Sequence, residues 1–180
     1  SEVLGTAKYD PDLASRQEGW LDSLHEQTPE TEEYGIGNFV YERRIPFHPQ
    51  RFYDCLQKDW PGVIRSKGVF WLGTRLKLSG YWSQAGSVSR HECGGYFWAA
   101  LPPSYWPDDR SHIDRVWRDG NGDCRQELVL IGRNMDQQAL VAMLDECLLT
   151  EYELSSDETT WPLRFTDPFP EWQVGDNGME

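Results

Sequence analysis

Gln126-Glu127-Leu128-Val129-Leu130-Ile131, followed within a few residues by Leu140-Val141-Ala142-Met143-Leu144-Asp145-Glu146-Cys147-Leu148, decides the fold class. In the first run Gln126, Leu128 and Leu130 alternate with Glu127, Val129 and Ile131, which is the two-residue period of a strand. In the second, Leu140, Met143, Leu144, Cys147 and Leu148 recur at i, i+3, i+4, i+7 and i+8, the apolar stripe of a helix that Asp136 is placed to cap. Upstream, Ile36 to Ile45 reads as a strand with Phe39, Tyr41 and Arg43 on one side and Val40, Glu42 and Arg44 on the other. His48-Pro49 then opens a short helix through Phe52 and Leu56 that Trp60-Pro61-Gly62 stops. Val63 to Thr74 is a second strand, with Val63, Arg65, Lys67, Val69 and Trp71 on a shared face. Leu78 to Arg90 and Gly94 to Leu101 are expected as third and fourth strands, turned by His91-Glu92-Cys93-Gly94-Gly95. Strands that cluster between helices, with short links, predict an α+β domain: an antiparallel sheet of four to five strands with helices on one face.

Outside that body, residues 1–30 are expected to form a helix from Asp10 to about His25 and then an acidic, proline-containing linker. Residues 31–172 make the domain, and 173–180 a frayed tail. Pro102 to Asp123 reads as irregular, with a helical turn between Asp109 and Trp117 and a turn at Gly120 to Asp123.

Composition narrows the functional classes. A chain of 180 residues with 38% hydrophobic and 26% charged side chains is the size of one domain and should fold. Its net charge of −13 repels phosphate backbones and anionic lipid, so neither nucleic acid nor a membrane surface is an expected partner. No run approaches the roughly 20 apolar residues that span a bilayer, and Ser1 to Gly5 lacks the features of a cleavable signal. Four cysteines, Cys55, Cys93, Cys124 and Cys147, without a C-x-x-C pair fit a reducing cytoplasm and structural thiols. There is no phosphate-cradling G-x-x-x-x-G-K-[ST] or strand-flanked G-x-G-x-x-G and no nucleophile elbow, so neither nucleotide hydrolysis nor other catalysis is expected of this chain.

Three sets of residues are candidates for function. Arg65 and Lys67 place two cations side by side on one strand face, suited to an anion, a neighbouring domain or a partner; the bland alternative pairs them with Glu42 or Glu127. His91, Glu92 and Cys93 put an imidazole, a carboxylate and a thiol within three residues and could supply zinc ligands, with His48 or His112 as distant complements; the alternative is a polar turn. His48 itself is expected to start the helix before Pro49. Nine tryptophans raise a sugar-stacking surface, against which Trp20, Trp60 and Trp71 fall on inferred apolar faces.

Several segments, in order, resemble the C-terminal domain of CobW-type GTPases. They are Glu32 to Ile36, Phe39-Val40-Tyr41, Pro46-Phe47-His48-Pro49, Trp60 to Gly68, Phe70-Trp71-Leu72, Ser83 to Gly86, Arg125 to Gly132 and Asp167 to Trp172. Residues 3–26 look like the tail that follows the GTPase domain in such proteins, which would make the chain a cut piece. The resemblance implies a GTP-dependent metallochaperone whose GTP, magnesium and Cys-x-Cys-Cys metal motif belong to a GTPase domain absent here. It implies for this domain a regulatory and interaction role toward its own GTPase domain and a client metalloprotein. Within the family the sequence looks most like the zinc-supply branch, whose C-terminal motifs are shared with members that serve cobalt and iron clients. A domain with its own zinc site and an aromatic-rich carbohydrate-binding module are the competing readings.

Overall fold

The computed structural model of the chain describes residues 35–172. The expected helix over 10–25, the linker after it and the tail over 173–180 lie outside the described residues. Within them the order is β1 (Ile36–Arg43), α1 (Pro49–Leu56), β2 (Val63–Trp71), β3 (Leu78–Ala85), β4 (Val88–Tyr96), α2 (Ser111–Val116), β5 (Gln126–Arg133), α3 (Gln137–Asp145), α4 (Glu151–Leu154) and α5 (Trp161–Arg164). The strands form one sheet in the order β1-β5-β2-β3-β4, with every neighbouring pair antiparallel. β1 and β2 both run opposite to β5, which lies between them, so β1-α1-β2 is a crossover split by the last strand to be made. The domain is α+β, as the clustering of strands implies.

One face of the sheet carries the core. Phe39 and Tyr41 of β1, Leu128 and Leu130 of β5, Phe70 of β2 and Trp82 of β3 meet Phe52, Cys55 and Leu56 of α1 and Leu140 and Leu144 of α3. Their spacing is the reason: alternate strand positions and the i, i+3, i+4 positions of a helix each present one apolar surface, and these surfaces bury each other. Caps fix the helix starts. His48 precedes Pro49 and its Nδ1 accepts from the Arg51 amide, while the Asp136 side chain accepts from the Ala139 amide at 2.9 Å. At its other end α3 is tied to β1 by Asp145, which accepts from the Tyr41 hydroxyl at 2.8 Å and from both Nε and Nη2 of Arg43.

Two sequence expectations need correction. The third and fourth strands do not turn at His91 to Gly95; they turn at Gly86-Ser87, where Ala85 pairs with Val88 and Gly86 takes φ +58°. A two-residue hairpin loop needs positive φ, and Gly86 supplies it. The glycines at 94 and 95 mark instead a shift in register opposite Ser79 and Gly80, a bulge within β4. The second correction concerns Val63. A register shift between Val63 and Arg65 inserts one extra residue on β2, so Val63 packs against the helix-side core while Lys67 and Val69 keep to the opposite face.

Candidate functional site

The face of the sheet away from α1 and α3 holds Arg65 and Lys67, and the strand register arranges it in rows. Val40, Val129, Lys67, Ser83 and Arg90 form one row across all five strands. Ile131, Arg65, Ala85 and Val88 form the row beside it. On the other side runs an acidic row, Glu42, Glu127, Val69, Tyr81 and Glu92. Arg65 and Lys67 are close enough for the guanidinium to hold the Lys67 ammonium below the ordinary lysine range, after burial, which contributes most. In the acidic row Glu42 and Glu127 stand directly opposite, a repulsive pairing that two arginines relieve. Arg44 bonds Glu42 at 3.1 Å, and Arg125 bonds Glu127 inside the protein, where both side chains are less than a tenth exposed. Glu127 therefore serves Arg125 first, as its position two residues away on the strand suggests.

β2 owes its fit in the sheet to Gly68, because any Cβ there would run into the Glu127 carbonyl of β5. The short sequence Arg65-Ser66-Lys67-Gly68 thus has a physical division of labour: odd positions face outward, Ser66 faces the core, and Gly68 admits the neighbouring strand. Ser66 is buried, accepts a hydrogen bond from Trp82 Nε1 at 2.7 Å and donates to Gln84 at 3.1 Å. At the far end of the same open face Trp71, Phe97 and Cys124 make a second small core, against which Val69 packs. Asp123 anchors the segment there by accepting from the Trp98 and Ala99 amides at 2.9 and 2.8 Å.

The side chains of His91, Glu92 and Cys93 do not all share one face. They lie inside β4, not in a turn, and alternation sends Glu92 to the acidic row while His91 falls in register with Trp82 on the helix side. The His91 ring lies 5.1 Å from Phe169 and 6.2 Å from Tyr53, and its buried Nδ1 has no hydrogen-bond partner. Burial, reinforced by the charge of Arg75, lowers its pKa, and burial raises that of the Cys93 thiol. Among the described residues no three His, Cys, Asp or Glu side chains stand together as a metal cluster. His48 is accounted for as the α1 cap. The sugar-stacking alternative also loses its basis. Every tryptophan among the described residues is buried or half-buried, and Trp106, for example, meets Trp117 as a tilted pair at 5.2 Å and donates its Nε1–H to the Trp98 carbonyl.

No motif or periodicity singles out Arg75. Its guanidinium takes both oxygens of Asp167 and the carbonyls of Phe169 and Pro170, at 2.8 to 3.0 Å, and lies 4.3 Å from the Trp172 ring. That grip lays Asp167 to Trp172 over the open end of the core, where Phe169 meets Phe52, Phe70 and Tyr53. A cleft of about 520 Å³ lies near the α4–α5 end, lined in part by Arg44, Trp71, Asn121, Asp157 and Trp161.

A split β-α-β sheet with one helix-covered face and one face of charged rows defines a small α+β domain. The chain belongs to the family of cobalamin synthesis protein cobW C-terminal domains, whose model matches residues 36–148, from the first residue of β1 to just past α3. It is 39% identical over 167 residues to the zinc-regulated GTPase metalloprotein activator 1 of Dictyostelium discoideum, a match covering 89% of this chain and 35% of that protein. It is 28% identical over 136 residues to a zinc chaperone of Mycobacterium tuberculosis, covering 73% and 34%. The chain thus spans about a third of the length of the curated relatives it matches. Among solved structures, the Zn(II)-bound YjiA GTPase of E. coli aligns with a TM-score of 0.45 at 12% identity, over 68% of this chain and 34% of that one.

Proposed function

We propose that this domain is the regulatory and interaction half of a GTP-dependent metallochaperone whose cargo is zinc. The family match across the whole sheet carries this reading, and the names of the two relatives, an activator of metalloproteins and a zinc chaperone, supply the metal. GTP and magnesium belong, on this view, to a GTPase domain elsewhere in the polypeptide, because the chain has no phosphate-cradling loop. Zinc is handled there as well, since the donors on β4 do not converge. The contribution of this domain is a surface. Arg65 and Lys67, beside Arg90, gather cations on one patch of a chain whose net charge is −13, so they steer and orient an acidic counterpart where the rest of the molecule would repel it. Nucleotide state in the GTPase domain would change which face that domain covers, and so offer or withdraw the patch from the client metalloprotein.

The test uses the intact protein with its GTPase domain. Reversing both charges, Arg65→Glu with Lys67→Glu, should weaken GTP-dependent binding of the client or alter domain packing by at least tenfold in affinity, and steepen no salt dependence of its own. Unchanged binding in a variant whose circular dichroism and melting match the parent removes these residues from the interface.

A further inference from the structure

Cys55 and Cys147 are far apart in the chain, and the fold presses them together. Both belong to the core between the helices and the sheet, and they are only 1% and 3% exposed. The residues that leave α3 run along one side of α1: the His48 amide donates to the Cys147 carbonyl at 2.8 Å, and the Cys147 thiol lies 3.5 Å from the Arg51 carbonyl and 3.4 Å from that of Met143. Helical Cα–Cβ bonds lean toward the N-terminus, so the Cys55 side chain lies over the turn that carries the Arg51 carbonyl. The two thiols are accordingly neighbours in the core, and each shifts the other's ionisation.

Their protons are unequally held. The Cys147 thiol, which donates to backbone carbonyls, is pushed up by its Cys55 neighbour and by burial. The Cys55 thiol is lowered by the Cys147 side chain, helped by the Lys58 ammonium one turn on, in spite of its burial. A thiol eased toward ionisation beside one held protonated suits the division between an attacking and a resolving sulfur. Cys93 and Cys124 have no second thiol beside them to play that part, and burial raises both, Cys124 to about 12.

We propose that Cys55 and Cys147 form a reversible redox pair, closed to an intramolecular disulfide by small-molecule disulfides such as oxidised glutathione. In the first step the Cys55 thiolate attacks one sulfur of the reagent, forming a mixed disulfide and expelling one small thiolate. Cys147 then loses its proton and attacks the Cys55 sulfur, expelling the second. Two protein thiols and one small disulfide become one protein disulfide and two small thiols; two electrons and two protons pass from the protein to the reagent. Because both sulfurs are buried, the reagent enters when the end of α1 opens next to the exposed Gln57-Lys58-Asp59, so closure is slow and follows local unfolding. The bond staples α1 to the end of α3 and closes a long loop of chain, which restricts the unfolded state and raises thermal stability.

The experiment incubates the full chain with excess oxidised glutathione, quenches with an alkylating agent, and counts thiols after unfolding. Thiols should fall from four to two, a proteolytic peptide should join Cys55 to Cys147, and the melting midpoint should rise by roughly 10 °C. Dithiothreitol should reverse all three. The double variant Cys93→Ser with Cys124→Ser should fall from two thiols to none with the same rise in melting midpoint, and Cys55→Ser or Cys147→Ser should form no internal bond. Four thiols surviving in the folded chain, under conditions that oxidise the same chain in urea, would overturn the proposal. So would linkage through Cys93 or Cys124, glutathione left on each sulfur separately, or thiols restored by a chelator alone, which would mean bound metal.

Discussion

Single side chains hold together places that the backbone leaves open, and Gln126 does so most fully. Its amide nitrogen donates to the carbonyls of Ile45 and Trp71 at 2.9 and 2.8 Å, and its oxygen accepts from the Trp71 amide at 2.9 Å. It is completely buried, so it replaces ladder bonds where β2 ends and the chain leaves β1. Gln126→Leu keeps the volume and strands two carbonyls and one amide without water. A loss of about 3 kcal/mol is expected from urea unfolding, and a loss under about 1 kcal/mol would show that the strand ends relax to find other partners. From the sequence Gln126 was visible only as one position in an alternating run, on the same side as Leu128 and Leu130. That placement holds, but a polar residue on an apolar face announces neither its three partners nor their distance in sequence. The β4 residues failed for the opposite reason. His91, Glu92 and Cys93 carry suggestive chemistry side by side; their place inside β4, beyond the turn at Gly86, keeps His91 and Cys93 on one face and sends Glu92 to the other.

Elements are joined by ion pairs whose worth depends on pH, and the link between α1 and α4 shows it. Arg51 bonds both oxygens of Glu153 at 2.9 and 2.7 Å and the Leu148 carbonyl at 2.8 Å, while Glu153 closes a capping box with Thr150. The Arg51 guanidinium, more than the Thr150 amide, holds the Glu153 carboxyl down to about 2 against an ordinary 4.5. A folded value below the unfolded one means that the native state is favoured wherever the unfolded carboxyl is ionised. The stabilisation is therefore complete above about pH 5 and drains away as pH falls from 4.5 toward 2. Glu153→Gln keeps the shape and removes the charge, so it should be less stable than the parent at pH 6 and equal to it near pH 2. Urea midpoints at several pH values across that span decide it, and a gap that stays constant would assign the effect to the cap instead of the ion pair. Where periodicity was strong, as in β5 and α3, the elements stand where the sequence put them, Asp136 cap included. α4 and α5 have four residues each, too short for a period to register; α4 is held by its Thr150–Glu153 capping box and α5 by burial of Trp161 and Phe165.

Taken whole, the molecule is a sheet with one face closed by helices and the gap beside them closed by the last described residues. Asp167 to Trp172 was legible as a family motif, yet its purpose depends on Arg75, more than ninety residues earlier, and no local pattern couples the two. Arg75 stands just past β2, so one guanidinium ties the end of the domain to its central hairpin. Phe169, 5% exposed, then completes the core against Phe52 and Phe70, and Trp172 covers Phe70 at 5.8 Å. Lysine cannot substitute, because it offers a point charge where a planar fork satisfies a carboxylate and two carbonyls at once. Arg75→Ala leaves the Asp167 carboxylate with Thr74 and the Phe169 amide but without its cation, and should cost about 3 kcal/mol, with Arg75→Lys recovering less than half. The distinguishing readout is local. If the strap is held chiefly by Arg75, exchange of the Phe169 amide, which donates to Asp167, should speed by at least tenfold in Arg75→Ala while that of β5 changes only with global stability. Equal acceleration everywhere would mean that Phe169 alone seats the strap, and that Arg75 serves the fold as a whole.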